Sequence, residues 1–161
     1  MKTLTGLLPL GAVLLVVGGL VWWLLDRGSA VGPWLVAAIL FAHGWVHIVF
    51  LLPAAERGSA DGGNPFDLDR SWLIGRGVDS QLVHSGGAVL AIVTFVAFAA
   101  AALAVVGWLV PDAWWTGLVF TGVVGSTMLL VLSFVPTLVL GFVINAGLLA
   151  LAIQTAWEVP R

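Results

Sequence analysis

The sequence contains no cysteine, and only 9% of its 161 residues are charged. Without cysteine, the chain cannot form a disulfide, a thiolate metal site, an iron–sulfur cluster or a cysteine nucleophile. It also contains no glycine-rich phosphate loop and no serine-triad motif. Because it has no basic stripe, we expect no nucleic-acid partner. Because soluble domains carry about 25% charged residues, this chain has too few charges to cover itself with a polar surface.

Apolar residues are abundant instead. They make up 61% of the chain, and the mean hydropathy is +1.13. The hydrocarbon core of a bilayer is about 30 Å thick, and a helix needs about 20 apolar residues to cross it. The sequence therefore predicts an all-α fold, a polytopic transmembrane helical bundle whose main partner is the lipid bilayer.

Prolines and charges divide the apolar sequence into about five spans. The predicted spans are residues 7–25, 31–52, 82–110, 114–135 and 137–157. Pro53 ends the second span, Pro111 ends the third, and Pro136 separates the last two. The turn at Ser133 to Thr137 carries no charge, so a re-entrant pair of helices is the alternative there.

Residues 53–81 form the long hydrophilic segment, which we predict to be a cytoplasmic loop. Within it, Asn64 before Pro65 is typical of a helix start. We therefore expect an interfacial helix over residues 65–74, with Trp72 as its membrane anchor.

Positively charged residues near span ends favour the cytoplasmic side of a membrane. With five spans, four of them share the side of the long loop and two lie opposite: Lys2, Arg57, Arg70 and Arg76 against Arg27 and Arg161. The N-terminus is therefore predicted in the cytoplasm and the C-terminus outside. Seven tryptophans fall at the opposite, outer interface: Trp22, Trp23, Trp34, Trp108, Trp114, Trp115 and Trp157. The high content of Ala, Gly and Val, with more Arg than Lys, favours a bacterial source and the inner membrane.

The three histidines are the least expected residues in these spans. His43 and His47 are four residues apart, so their side chains share one helix face. His84 lies near the start of the third span, and we expect all three to meet near the cytoplasmic boundary. Such a group suits a divalent metal, with the fourth position left for water or Asp79.

A haem held by His47 and His84 is a second interpretation, which leaves His43 unexplained. The simpler interpretation is that neutral histidines bond backbone carbonyls or Ser85. On the fifth span, Asn145 is predicted to bond hydroxyls of the fourth span in an interhelical contact. The hydroxyls available to it are those of Thr121, Ser126 and Thr127.

Small residues four apart allow helices to approach closely, as in Gly87–Ala91, Gly122–Ser126 and Ala146–Ala150. None of these features decides whether the protein is an enzyme. Three functions stay open: a metal or haem protein, a transport or proton-conducting component, and a non-catalytic subunit or assembly factor. The last could form a homo-oligomer or join a larger membrane complex.

Overall fold

The computed structural model describes residues 2–51 and 66–154, and every regular element in these ranges is a helix. The α-helices are α1 (Lys2–Asp26), α2 (Gly32–Val46), α3 (Trp72–Gly75), α4 (Ser80–Val105), α5 (Trp115–Leu132) and α6 (Val139–Gln154). Short 3-10 helices cover His47–Leu51, Leu68–Arg70, Asp112–Trp114 and Pro136–Leu138. The all-helical prediction is therefore confirmed for the described part of the chain.

Three helical segments are long and apolar enough to cross a membrane, judged by length and composition. They are Gly32–Leu51, Ser80–Val105 and Asp112–Leu132. Two further apolar stretches, Gly11–Asp26 and Val139–Gln154, are shorter. Each predicted span overlaps one of these helices, and residues 155–157 lie outside the described ranges.

The helix boundaries follow from local chemistry. Pro33 stands in the first turn of α2, where a missing amide hydrogen removes no helical bond. The carboxylate of Asp79 accepts a hydrogen bond from the Leu82 amide and so caps α4. Just after α4, Gly107 has a φ of 70°, a conformation that glycine adopts without strain.

The helix α4 lies at the centre of the bundle, between α2 and α5, and α6 packs against α5. Close approach depends on glycine. A Cβ atom at Gly44 would lie 3.0 Å from the Cβ of Phe98, and one at Gly122 would lie 2.8 Å from the Phe98 ring. The Phe98 side chain, which is fully buried, therefore fills the space that these two glycines leave on the neighbouring helices.

Among the described residues, two buried apolar clusters fill the bundle. The main core contains Phe98 and Trp115 with Val36, Leu40, Ala101 and Val119, among others. The loop-side cluster contains Phe50, Leu68, Ala91 and Leu129. It lies toward the loop-side end of the bundle, with Phe50 just beyond α2, Leu129 in the last turn of α5 and Ala91 in the first half of α4.

The predicted tryptophans and small-residue pairs differ in whether they are buried or exposed. Trp115, the first residue of α5, is buried in the main core. Trp22, Trp23, Trp34, Trp108 and Trp114 are exposed on the surface, and Trp157 lies outside the described residues. The pairs Gly87–Ala91 and Gly122–Ser126 are buried, whereas Ala146 and Ala150 are exposed.

The expected interfacial helix is divided. Residues 68–70 form a 3-10 turn and residues 72–75 a single α-turn, because Ser71 interrupts the helix between them. The hydroxyl of Ser71 accepts a hydrogen bond from the Leu73 amide and starts α3. Asn64 and Pro65, the predicted start, lie outside the described residues.

We expect Gly122→Val to destabilise the protein by about 1–3 kcal/mol, because the new side chain overlaps the buried Phe98 ring. Gly117→Val on the same helix is the matched control, since a Cβ there meets nothing within 4 Å. Equilibrium unfolding of both variants in mixed detergent micelles measures the difference. Equal stability of the two variants would contradict the close packing of the Phe98 ring against Gly122.

Candidate functional site

His43 and His47 lie side by side in the interior of the bundle. Their imidazole centroids are 5.1 Å apart, with an interplanar angle of 83°. Both side chains are buried. The prediction that they share one helix face is therefore confirmed.

Polar side chains of α5 and α6 surround these histidines. His43 Nε2 lies 2.8 Å from the Oδ1 of Asn145, and His47 Nε2 lies 2.8 Å from the Oγ of Ser126. The Asn145 amide nitrogen donates to Ser126 and to Thr127, at 3.0 Å each. These five residues, His43, His47, Ser126, Thr127 and Asn145, are called the histidine network below.

The end of α2 explains the position of His47. The last carbonyls of an α-helix have no helical partner. At His47 the chain changes from α to 3-10 geometry, and the His47 amide bonds to Gly44 instead of His43. The free carbonyl of His43 accepts a hydrogen bond from the Nδ1 of His47, at 2.9 Å.

This contact determines the direction of the other hydrogen bonds. A carbonyl only accepts, so the Nδ1 of His47 carries the hydrogen, and its Nε2 in the neutral ring is an acceptor. The hydroxyl of Ser126 therefore donates to His47 and accepts from Asn145. The Oδ1 of Asn145 accepts from His43 Nε2, which carries the hydrogen of that imidazole. The bonds thus form a closed circuit that returns to the backbone of His43.

Two residues of α4 adjoin the histidine network. The Phe98 ring contacts both imidazoles, with centroid distances of 5.2 Å to His43 and 6.4 Å to His47. Thr94 lies one turn away against Gly125, the neighbour of Ser126. The Thr94 hydroxyl is fully buried and has no hydrogen-bond partner among the described residues. Sequence reasoning missed both residues.

The predicted interhelical role of Asn145 is confirmed. Its amide reaches Ser126 and Thr127 on the neighbouring helix. Thr121, the third hydroxyl considered, is exposed and donates to the Gly117 carbonyl of its own helix. The three hydroxyls differ because Thr121 lies on the outward face of α5.

The structure does not bring His84 to the other two histidines. Phe98, which contacts them, lies 14 residues beyond His84 on the same helix, a separation of about 21 Å along the axis. His84 instead lies 2.8 Å from the carboxylate of Asp69, near the surface. The expected meeting of three histidines, and the His47–His84 haem pair, therefore do not occur in this arrangement.

The fourth predicted metal ligand, Asp79, caps α4 through the Leu82 amide. In residues 2–51 and 66–154, no group of three or more His, Cys, Asp or Glu residues is placed to hold a metal ion. The hydrogen bonds of the histidine network involve no carboxylate. A divalent ion bound there would lack an anionic ligand, and burying an uncompensated charge is costly.

At the opposite end of the bundle, a partly open cavity of about 410 Å³ lies between the α1–α2 and α4–α5 connections. Its walls include Ala30, Trp34, Val105, Gly107 and Asp112. Residues from both connections line one space, so both connections lie at the same end of the bundle.

Comparison with protein-family models, with curated proteins and with solved structures finds no match for this chain.

We expect Ser126→Ala to destabilise the protein by about 1 kcal/mol or more, because it leaves His47 Nε2 and one Asn145 donor unpaired. Thr121→Val on the same helix removes an exposed hydroxyl and should change the stability by less than about 0.5 kcal/mol. Unfolding in mixed micelles measures both variants. Similar stability changes would show that the network contributes no more than a surface hydroxyl.

Proposed function

We propose that this protein is a non-catalytic integral membrane protein, a subunit or assembly factor, whose five longer helices all cross the membrane. In this proposal it lies in a bacterial inner membrane with its N-terminus in the cytoplasm and its C-terminus outside. The histidine network holds the helices together. The outward faces contact lipid, a second copy of the chain or a larger complex.

The arrangement of the connections supports five crossings. The α1–α2 and α4–α5 connections line one cavity. At the other end, the Trp72 indole donates a hydrogen bond to the Val131 carbonyl, which joins the long loop to the end of α5. Consecutive helices therefore run between two opposite ends. The exposed tryptophans Trp22, Trp34 and Trp108 lie near the cavity end, where an interfacial aromatic belt would stand.

The closed circuit of hydrogen bonds is the observation that carries the non-catalytic assignment. Each contact joins one protein group to another, and together they connect α2 with α5 and α6. Away from water, such bonds satisfy polar groups that would otherwise be costly to bury. An arrangement in which the polar groups serve one another fits a structural role better than a site for substrate.

A proton-conducting role has less support. The circuit passes through the side-chain amide of Asn145 and ends on the carbonyl of His43. Neither group readily gives up a proton and takes another, as a hydroxyl or imidazole does. Between the network and the cavity end, the main core is filled by apolar side chains such as Leu40 and Trp115.

Metal binding is the second candidate, and one observation favours it. Histidines that bind metals commonly donate their other ring nitrogen to a backbone carbonyl, which orients the ligating atom. His47 donates in this way, and its Nε2 points at Ser126. A transition-metal ion could replace that hydrogen bond, with His43 as a second ligand after a change of tautomer.

The topology predicts opposite labelling of single cysteines in a chain that has none of its own. A membrane-impermeant thiol reagent should label Arg70→Cys and Phe134→Cys from the cytoplasmic side and Asp112→Cys from the outside. Labelling of Asp112→Cys and Arg70→Cys from the same side would exclude five crossings. Protection of Phe134→Cys from both sides would favour the re-entrant pair.

The two candidate functions differ in metal content. In the non-catalytic proposal, the purified protein retains no stoichiometric metal or haem, and His47→Gln lowers its stability by about 1–3 kcal/mol. His84→Gln is the control, because His84 lies outside the network. Elemental analysis and a Co²⁺ titration followed by visible absorption measure binding. One equivalent of metal that His47→Gln abolishes and His84→Gln retains would establish the second candidate.

A further inference from the structure

Residues 66–79, called the strap below, lie across the loop-side end of the bundle. The strap contains the 3-10 turn Leu68–Arg70 and the short helix α3. Although it belongs to the hydrophilic loop, it turns one large apolar side chain inward. Leu68 is only 3% exposed and belongs to the loop-side cluster.

Leu68 fills a pocket that exists because Gly87 has no side chain. It packs with Phe50, Ala91 and Leu129, which come from three different helical segments. A Cβ atom at Gly87 would lie 2.5 Å from the Cδ1 of Leu68, so a side chain at that position would displace it. Phe66 adds an edge-on contact with Phe50, at a centroid distance of 5.3 Å.

Polar contacts also attach the strap to the helices at the surface. Asp69 lies 2.8 Å from His84 on α4, and both side chains are about half exposed. The Trp72 indole donates to the Val131 carbonyl of α5 at 3.0 Å. Exposed ion pairs contribute little to stability, so burial of Leu68 is the principal attachment.

The Phe50 side chain connects the strap to the histidine network. The Phe50 ring stacks on the imidazole of His47, at a centroid distance of 6.4 Å, and makes an edge-on contact with Phe66. On the cavity side, by contrast, the network is covered by the whole main core. Fewer apolar side chains therefore separate the histidine network from the loop-side end than from the cavity end, and some of them belong to the loop.

We infer that the strap is a removable seal over the loop-side end of the bundle. While Leu68 occupies its pocket, water is excluded from Ala91, Leu129 and the Phe50 ring, which contacts His47. Release of Leu68 admits water to this end only, since the strap contributes no residue to the main core. A partner that binds the loop could therefore act on the histidine network by withdrawing one side chain. The inference does not depend on whether the network is structural or binds a metal.

Cysteine accessibility tests the seal, because the natural chain contains no cysteine. Ala91→Cys places a thiol in the same buried cluster as Leu68. In lipid nanodiscs, a small charged methanethiosulfonate should modify it slowly. Adding Leu68→Ser should raise the modification rate by at least about tenfold, as expected for a local opening. Leu73→Ser, a change of the same type at a less buried position of the strap, should leave the rate unchanged.

Two further thiols separate local opening from general unfolding. Ala101→Cys lies on the same helix but in the main core, and its rate should not respond to Leu68→Ser. Leu129→Cys, on the other wall of the pocket, repeats the measurement if Ala91→Cys does not fold. The inference is overturned if Ala91→Cys reacts as fast as the exposed Ser85→Cys while Leu68 is present. It is also overturned if Leu68→Ser changes neither pocket thiol, or changes Ala101→Cys equally.

Discussion

The hydrogen bond between the His47 imidazole and the His43 carbonyl is the interaction on which the interior arrangement depends. It exists because α2 changes to 3-10 geometry at His47 and leaves that carbonyl without a helical partner. Since the carbonyl can only accept, the contact also fixes which atom donates at Ser126 and Asn145. One irregular helix end thus sets the polarity of a network that spans three helices.

Sequence reasoning succeeded where local geometry decides. The four-residue spacing of His43 and His47 places them on one face whatever surrounds the helix. The pairing of Asn145 with hydroxyls of α5 follows from the cost of leaving an amide unpaired in an apolar interior. Pro111 and Pro136 stand between consecutive long helices, because proline disrupts a helix interior. These inferences need no knowledge of tertiary packing.

Sequence reasoning failed where the outcome depends on how deep a residue lies along its helix and on which face of the helix is buried. The helix α4 has 26 residues, about 39 Å of length, so His84 near its start lies well away from Phe98 and the other histidines. A helix that is apolar on all sides carries no pattern to show which face is buried. That is why Phe98, Thr94 and the buried position of Trp115 escaped prediction. The inward turn of Leu68 depends on the missing side chain of Gly87. This contact joins a loop residue to a helix residue, and the sequence pattern does not show it.

The histidine network also bears on the order in which the protein is assembled. His43 and Asn145 are 102 residues apart in the chain, so the circuit cannot close until α6 packs beside α5. Until then, the imidazoles of α2 must find temporary partners among water, headgroups or other helices. The network is therefore completed only by a segment that is synthesised long after α2. An interrupted chain would therefore leave these polar groups unpaired, a feature by which quality-control proteases could distinguish it from the finished protein.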